Sequence, residues 1–218
     1  MANNYSFHGC AIVACGTLSL ELNLLRDSNF LDAEKVLYTK PGRHEKPAEL
    51  ESQLVKQIST AKKYARQVIV VYGGEFCYIN IDNPYRTIDT IIKEQEDSET
   101  RISRIKASDC IDMLASVKER EKISQGKDIY WLTPGWLKYR FYIYQDWDTG
   151  KANENFPQHS GGAIMLDAVG YYDRLVGKDP DKILSFSDWM GIPLDAHKVS
   201  LDRLKNLLIN EKRRYGLS

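Results

Sequence analysis

The stretch Gln67-Val-Ile-Val-Val-Tyr72 decides the fold class, because it is the clearest strand in the sequence. It is rich in β-branched residues, is almost entirely apolar, and is stopped by Gly73-Gly74. A run without polar alternation has to be covered on both faces, as the strands of a parallel sheet are covered by helices. The sequence therefore predicts a buried strand inside a layered α/β domain.

Short apolar runs and helical spacings alternate on either side of this strand. Four further runs are typical of strands, at residues 7–14, 35–39, 101–105 and 129–133. Helical spacing of apolar residues occupies 18–25, 47–65, 85–95 and 111–120, and another helix is predicted from about residue 136. Such alternation predicts an α/β fold, a mostly parallel sheet of about five strands with helices on both faces.

The alternation stops near residue 150. The stretch 146–162 is polar and rich in Gly, Asn and Asp, which indicates a long functional loop. Beyond it the apolar spacing predicts helices at about 165–176, 180–190 and 200–214. We therefore expect an α/β core domain at residues 1–150 and a C-terminal helical cap or subdomain at residues 151–218.

Composition excludes several classes of protein. The 218 residues are 43% hydrophobic, enough to bury the core of one large domain or two small ones. The 30 Lys and Arg residues balance 30 Asp and Glu residues, so no bulk positive field favours nucleic acid or an anionic membrane. No apolar run approaches the roughly 20 residues of a membrane span, and the N-terminus lacks a signal pattern. We expect a cytoplasmic protein.

The four cysteines are too few for a disulfide scaffold, so in a reducing compartment they are buried thiols, metal ligands or nucleophiles. Ligands of parallel sheets bind beyond the carboxyl ends of the strands. The residues that follow the five predicted strands are Cys15, His44, Cys77, Asp109 with Cys110, and Thr133. Cys10 falls inside the first strand and is predicted to belong to the core.

Three readings of these residues stay open. Cys15, Cys77 and Cys110 with His44 or Asp109 would form a zinc site, or could hold an iron–sulfur cluster. Alternatively one cysteine is a nucleophile, and Cys110 is the first choice because a helix N-terminus at Asp109-Cys110 would lower its thiol pKa. The third reading is buried thiols without chemistry.

A bound cofactor would contact small residues at the same strand ends. Gly16 and Thr17 follow the first strand, Gly73 the third and Thr133 the fifth. The spaced glycines of dinucleotide-binding folds are absent after Cys15-Gly16, and the sequence contains no lysine-bearing phosphate loop. The aromatic residues between Tyr130 and Trp147 suit a stacking platform, although core packing is the commoner use of such residues.

Five short motifs appear in order between about residues 9 and 140. They are Ala14-Cys15-Gly16-Thr17-Leu18, His44-x-x-Pro47-x-x-Leu50, Tyr72-Gly73 with Cys77, Asp109-Cys110-Ile111 and Leu132-Thr133-x-Gly135-Trp136. With these motifs the chain resembles the archaeal and bacterial family of unknown function DUF1638. The resemblance implies that Cys15, His44, Cys77, Asp109 and Cys110 form one set. It also implies a loose association with anaerobes and with gene neighbourhoods of corrinoid-dependent methyl transfer.

The chain departs from the family pattern at one motif. Many members read Tyr-Gly-x-Cys-Gly where this chain reads Tyr72-Gly-Gly-Glu-Phe-Cys77, so the loop that carries Cys77 is longer here. The leading hypothesis is a cytoplasmic metal-binding protein that binds or transforms a small molecule, with zinc as the first metal. The alternatives are a non-enzymatic accessory that delivers a metal or cofactor to a protein partner, and a metal-free enzyme in which Cys110 is the nucleophile and His44 its base.

Overall fold

The computed structural model describes residues 5–43, 46–74 and 76–214. The strands are β1 (Cys10–Cys15), β2 (Lys35–Thr39), β3 (Gln67–Val71), β4 (Arg101–Arg104), β5 (Tyr130–Leu132), β6 (Ala163–Asp167) and β7 (Leu194–Lys198). They form two parallel sheets, one with the order β2-β1-β3-β4 and one with the order β5-β6-β7. The predicted α/β class with parallel strands flanked by helices is confirmed.

Helices connect the strands of both sheets. They are α1 (Ser19–Asp27), α2 (Pro47–Ala61), α3 (Ile88–Gln95), α4 (Val117–Ser124), α5 (Pro134–Lys138), α6 (Arg140–Ile143), α7 (Thr149–Asn155), α8 (Tyr171–Lys178), α9 (Asp181–Met190) and α10 (Asp202–Arg214). A 3-10 turn, Gly16–Leu18, precedes α1. None of the helices in the described part of the chain has the length and apolar character that crossing a bilayer requires.

The first sheet is buried on both faces, as the deciding stretch predicts. Successive side chains of a strand point to opposite faces, so Ile12 and Ile69 enter one apolar layer while Val13 and Val68 enter the other. The second layer is completed by α2, whose Leu54 is fully buried. Burying each such side chain contributes about 2 kcal/mol, which is why this sheet dominates the fold.

The second sheet corrects the expected layout of the C-terminal part. The fifth predicted strand does not extend the first sheet, because β5 pairs with β6 instead. The helix predicted from about residue 165 does not begin there, because residues 163–167 form the buried strand β6, and a short apolar run fits either element. Strand β7 is mostly exposed and polar, so its residues show no strand pattern in the sequence. The C-terminal part is therefore not wholly helical.

The layout bears on two further expectations. The stretch 146–162 is not a continuous loop, because it contains α7, whose first turn is capped by Asp148 through its Oδ1 and the Lys151 N–H at 2.8 Å. The division at residue 150 stays a prediction, and the second sheet takes strands from both sides of it.

The carboxyl ends of the two sheets meet at a tight junction. Gly135, in α5 after strand β5, lies against the turn that follows β1, and a Cβ added to it would lie 1.9 Å from the Thr17 carbonyl oxygen. The Thr133 hydroxyl donates to the same oxygen at 3.5 Å. The close approach of the two backbones therefore requires glycine at position 135.

Candidate functional site

A cavity of about 220 Å³ lies at the carboxyl ends of β1 and β3, between the two sheets. Cys15, Cys77 and Cys110 all line it. The first sheet supplies these thiols, while Tyr130, Trp131 and Trp136 close the cavity from the second sheet and the helix after it. The cavity has the location at which parallel sheets bind ligands, and it brings together the three cysteines that follow separate strands.

Cys15 ends β1 and lies among hydroxyl groups. The Thr17 hydroxyl donates to Cys15 Sγ at 3.0 Å. The Tyr72 hydroxyl also hydrogen-bonds Cys15 and pairs with the hydroxyl of buried Thr39. Burial raises the pKa of Cys15, and the Thr17 hydrogen bonds oppose the shift. Burial likewise raises the pKa of Tyr72 well above its usual value.

Cys77 lies in the loop after β3 and folds back over Gly73. A Cβ on Gly73 would lie 2.6 Å from Cys77 Sγ and 2.5 Å from the Asp109 Cα, so only glycine leaves room for both. Burial raises the pKa of Cys77 to about 12, and the nearby Cys15 adds to the shift. The longer loop of this chain therefore still delivers its cysteine to the cavity.

The environment of Cys110 differs from the expected helix N-terminus. The helix after β4 begins at Val117 and is capped by Ser116. Asp109 closes only a single turn, in which its Oδ1 accepts the Asp112 N–H at 2.7 Å. Burial, followed by the neighbouring Cys77, raises the pKa of Cys110 well above its usual value, whereas the Trp136 indole donates to its sulfur at 3.4 Å. The predicted lowering of this pKa is wrong, because burial outweighs one donor.

The three sulfurs influence one another electrostatically. Cys15 raises the pKa of Cys77, and both raise the pKa of Cys110. Three neighbouring thiols with raised pKa values are neutral at physiological pH, and a soft cation could replace their protons. Within the described residues, however, no group of three or more His, Cys, Asp or Glu side chains is already arranged to hold a metal ion.

The other residues predicted from the sequence divide into four groups. Thr17, Gly73 and Asp109 line the same cavity as the thiols. Gly16 and Thr133 are buried beside it but are absent from its lining, and Gly16 packs so tightly that an added Cβ would lie 2.6 Å from the Thr39 carbonyl oxygen. The prediction for His44, as metal ligand or base, lies outside the described residues. Cys10 is fully buried in the core, as expected.

The cavity also contains two residues to which the sequence analysis gave no role in a site. Arg43, only 9% exposed, lines it from the loop after β2, and Tyr72 lines it directly after β3. Arg43 follows a predicted strand and Tyr72 ends one, so the strand-end rule, applied to every polar residue and not only to cysteines and their usual partners, would have found both.

Comparisons with known proteins give one match. The family model described as "Protein of unknown function (DUF1638)" matches residues 38–208, which is most of the chain. Arg43, Cys77 and Cys110 lie inside the matched region, and Cys15 precedes it. No curated protein and no solved structure matches the chain.

Proposed function

The chain belongs to the DUF1638 family, and from that starting point we propose that it binds a thiophilic metal ion, zinc first, through Cys15, Cys77 and Cys110. The bound ion would serve to bind or transform a small molecule in the same cavity. The observation that carries this proposal is the convergence of three thiols from three strand ends on one cavity of about 220 Å³.

The chemistry of the donor set fits zinc. Cysteine sulfur is a preferred zinc ligand, and a site with three protein ligands leaves a fourth position for a small molecule. The fourth position could instead be filled by His44, as the sequence predicts, or by Asp109, which lines the cavity. Zinc binding would displace the thiol protons. It would therefore favour the thiolate form, against the effect of burial, which raises the thiol pKa values. An iron–sulfur cluster is the alternative group for the same thiols.

The raised thiol pKa values favour metal binding over metal-free covalent catalysis by Cys110. A nucleophilic cysteine needs a thiolate near neutral pH, and burial keeps Cys110 protonated. We place the protein in the cytoplasm, where reducing conditions would keep its thiols free. A zinc-bound thiolate is also a good acceptor of alkyl groups, which connects the proposal with methyl transfer. The alternative is an accessory protein that delivers a metal or cofactor. Such a protein would show no turnover, which would distinguish it from an enzyme.

Metal analysis of single-cysteine variants tests the proposal. Anaerobically purified wild-type protein is expected to carry about one equivalent of zinc, and Cys15→Ser, Cys77→Ser and Cys110→Ser are each expected to lose it. Ultraviolet–visible spectroscopy would reveal an iron–sulfur cluster instead. Cys10→Ser is the matched control, because Cys10 lies in the core. Its Sγ donates a hydrogen bond to Gln67 Oε1 at 3.1 Å and accepts one from Lys212 Nζ at 3.1 Å.

Two results would overturn the proposal. The first is a wild-type protein that binds no metal even after anaerobic incubation with zinc. The second is retention of the metal by all three cavity variants while they stay folded, as judged by circular dichroism. Loss from Cys10→Ser as strongly as from the cavity variants would also contradict it, since Cys10 does not line the cavity.

A further inference from the structure

We infer that the small molecule bound in the thiol cavity is a carboxylate monoanion and that Arg43 recognises its oxygen atoms. The inference rests on the proposed function for the place of the ligand, but it requires no metal. It depends on the position of Arg43, on which of its N–H groups already have hydrogen-bond partners, and on the charges of the other residues that line the cavity.

The loop that carries Arg43 is fixed by its neighbours. Gly42 has a φ of 72°, and a Cβ added to it would lie 2.5 Å from the Ile143 Cα. This contact holds the loop after β2 against the second sheet's helices and leaves Arg43 at the cavity with 9% of its surface exposed. An arginine so deeply buried is normally paired, because removing an unpaired charge from water is costly.

The pairing of Arg43 is incomplete. Its Nη1 lies 3.4 Å from Glu49 Oε2, and the same nitrogen donates to the Gln145 side-chain oxygen at 3.0 Å in the amide orientation that suits Gln145. The buried Nε has no hydrogen-bond partner among the described residues. Leaving such a donor unsatisfied costs about 1–3 kcal/mol, which a ligand oxygen would recover. Arginine forms its strongest hydrogen bonds with planar oxyanions such as carboxylates.

The charge of the cavity limits the ligand to a single negative charge. Arg43 is the one cationic side chain among the described lining residues. Asp109 contributes a negative charge, but its oxygens accept the Asp112 N–H at 2.7 Å and the Ser108 hydroxyl at 3.3 Å. A phosphate ester, with nearly two charges, would leave one charge uncompensated here. A carboxylate brings a single charge to Arg43, whose ion pair with Glu49 is made through Nη1 at 3.4 Å and leaves Nε unpartnered among the described residues.

The rest of the lining favours a ligand with an apolar body. Leu50, Met113 and Trp136 face the cavity together with the sulfurs. A volume of about 220 Å³ is below the range of drug-sized pockets, so the ligand is a small acid. Its carboxylate would contact Arg43, and its other end would contact the thiols.

Two alkylating probes test this arrangement directly. Iodoacetate and iodoacetamide both react when a thiolate sulfur displaces iodide, so that an S–C bond forms, the C–I bond breaks and the thiol proton goes to solvent. They differ in carrying a carboxylate or a neutral amide. The full chain is treated with each probe at about pH 9 after dialysis against a chelator, and the alkylation rates of Cys15, Cys77 and Cys110 are followed by peptide mass spectrometry.

The expected result is a preference for the carboxylate probe. For at least one cavity cysteine, the iodoacetate-to-iodoacetamide rate ratio should exceed that of free N-acetylcysteine by about tenfold, the effect of one charged hydrogen bond. Arg43→Met should reduce the ratio to the value of free thiol. Arg43→Lys should retain part of it, since lysine keeps the charge without the planar fork. Arg140→Met, which removes an arginine outside the cavity lining, should retain all of it.

A wild-type ratio equal to that of free thiol would overturn the inference, as would an undiminished preference in folded Arg43→Met and Arg43→Lys proteins. These outcomes are independent of metal content. A protein that binds zinc but shows no carboxylate preference refutes only the anion, whereas an Arg43-dependent preference without metal refutes only the metal site.

Discussion

The two parallel sheets end at the same junction, yet their strand ends differ in how their polar groups are satisfied. At the end of β6, the buried Asp167 carboxylate accepts the backbone N–H groups of Val169, Tyr171 and Tyr172 at 3.1, 3.0 and 2.8 Å. At the ends of the first sheet, the three thiols and Arg43 line a cavity, and the buried Arg43 Nε lacks a partner among the described residues.

Under the proposed function, this difference separates a strand end that stabilises its own loop from one that binds a ligand. Parallel topology collects polar side chains at the carboxyl edge of every sheet, so position alone does not identify a site. A carboxylate that its own loop satisfies stabilises that loop. Groups that the fold leaves unsatisfied are available to a ligand. The following predictions test this comparison, from the largest expected effect to the smallest.

The junction itself should be the most sensitive point. Gly135→Ala would place a Cβ 1.9 Å from the Thr17 carbonyl oxygen, so the two sheets would have to move apart. We expect the free energy of unfolding to fall by about 3 kcal/mol or more, measured by urea denaturation. Gly177→Ala is the control, because it lies in α8 with nothing within 4 Å of an added Cβ, and it should be neutral or slightly stabilising. Equal losses in both variants would contradict the tight junction.

The next effect concerns Glu21, which lies in α1 and is completely buried. Neither of its oxygens has a hydrogen-bond partner among the described residues, and burial, reinforced by the charge of Asp167, raises its pKa to about 8. The folded chain therefore keeps this proton while the unfolded chain loses it near pH 4.5, so stability falls as the pH rises from 4.5 to 8.

Glu21→Gln should remove that dependence. Between pH 5 and 8, we expect the free energy of unfolding of the wild type to decline by about 3 kcal/mol relative to the variant, measured by denaturation at each pH. The exposed Glu99→Gln should follow the wild-type curve. Parallel curves for the wild type and Glu21→Gln would show that Glu21 is already ionised in the folded chain.

Asp167→Asn tests the satisfied strand end. The amide cannot accept all three backbone N–H groups as a charged acceptor, so we expect a loss of about 2 kcal/mol in the free energy of unfolding. Metal content and the alkylation of the cavity cysteines should not change, because Asp167 does not line the thiol cavity. A change in either readout, in folded protein, would place Asp167 in the functional site.

The smallest effect is expected at Trp136. Trp136→Phe keeps an aromatic ring but removes the indole N–H that donates to Cys110 Sγ at 3.4 Å. This hydrogen bond lowers the pKa of Cys110 against the effect of burial, so its loss should raise that pKa further and shift the alkylation profile of Cys110 to higher pH. Stability should change by less than about 1 kcal/mol. An unshifted profile would mean that the donor does not act on the thiol.

Much of the first sheet follows from local sequence. Strand β2 occupies the predicted residues 35–39, and the apolar run of β3 is buried on both faces as expected. The strand-end rule also brings the three cavity cysteines together, because parallel pairing fixes which ends of the strands are neighbours.

The remaining features depend on contacts between distant parts of the chain. Strand β7 exists because its backbone pairs with β6, although its side chains are largely exposed. The direction of the Cys110 pKa shift is set by burial beneath Trp136, which no local pattern encodes. The loop that carries Arg43 likewise packs through Gly42 against Ile143, which lies in α6, far along the chain.

The origin of the three sulfurs in separate strands has a consequence for biosynthesis. Cys15 is synthesised first, and Cys110 leaves the ribosome only after three further strands, β2, β3 and β4, have been made. If the thiols hold an ion as proposed, a chain at an earlier stage would lack a complete ligand set, so premature capture of an ion would be disfavoured. Loading would then come after folding, and an occupied site would report that the first sheet has formed.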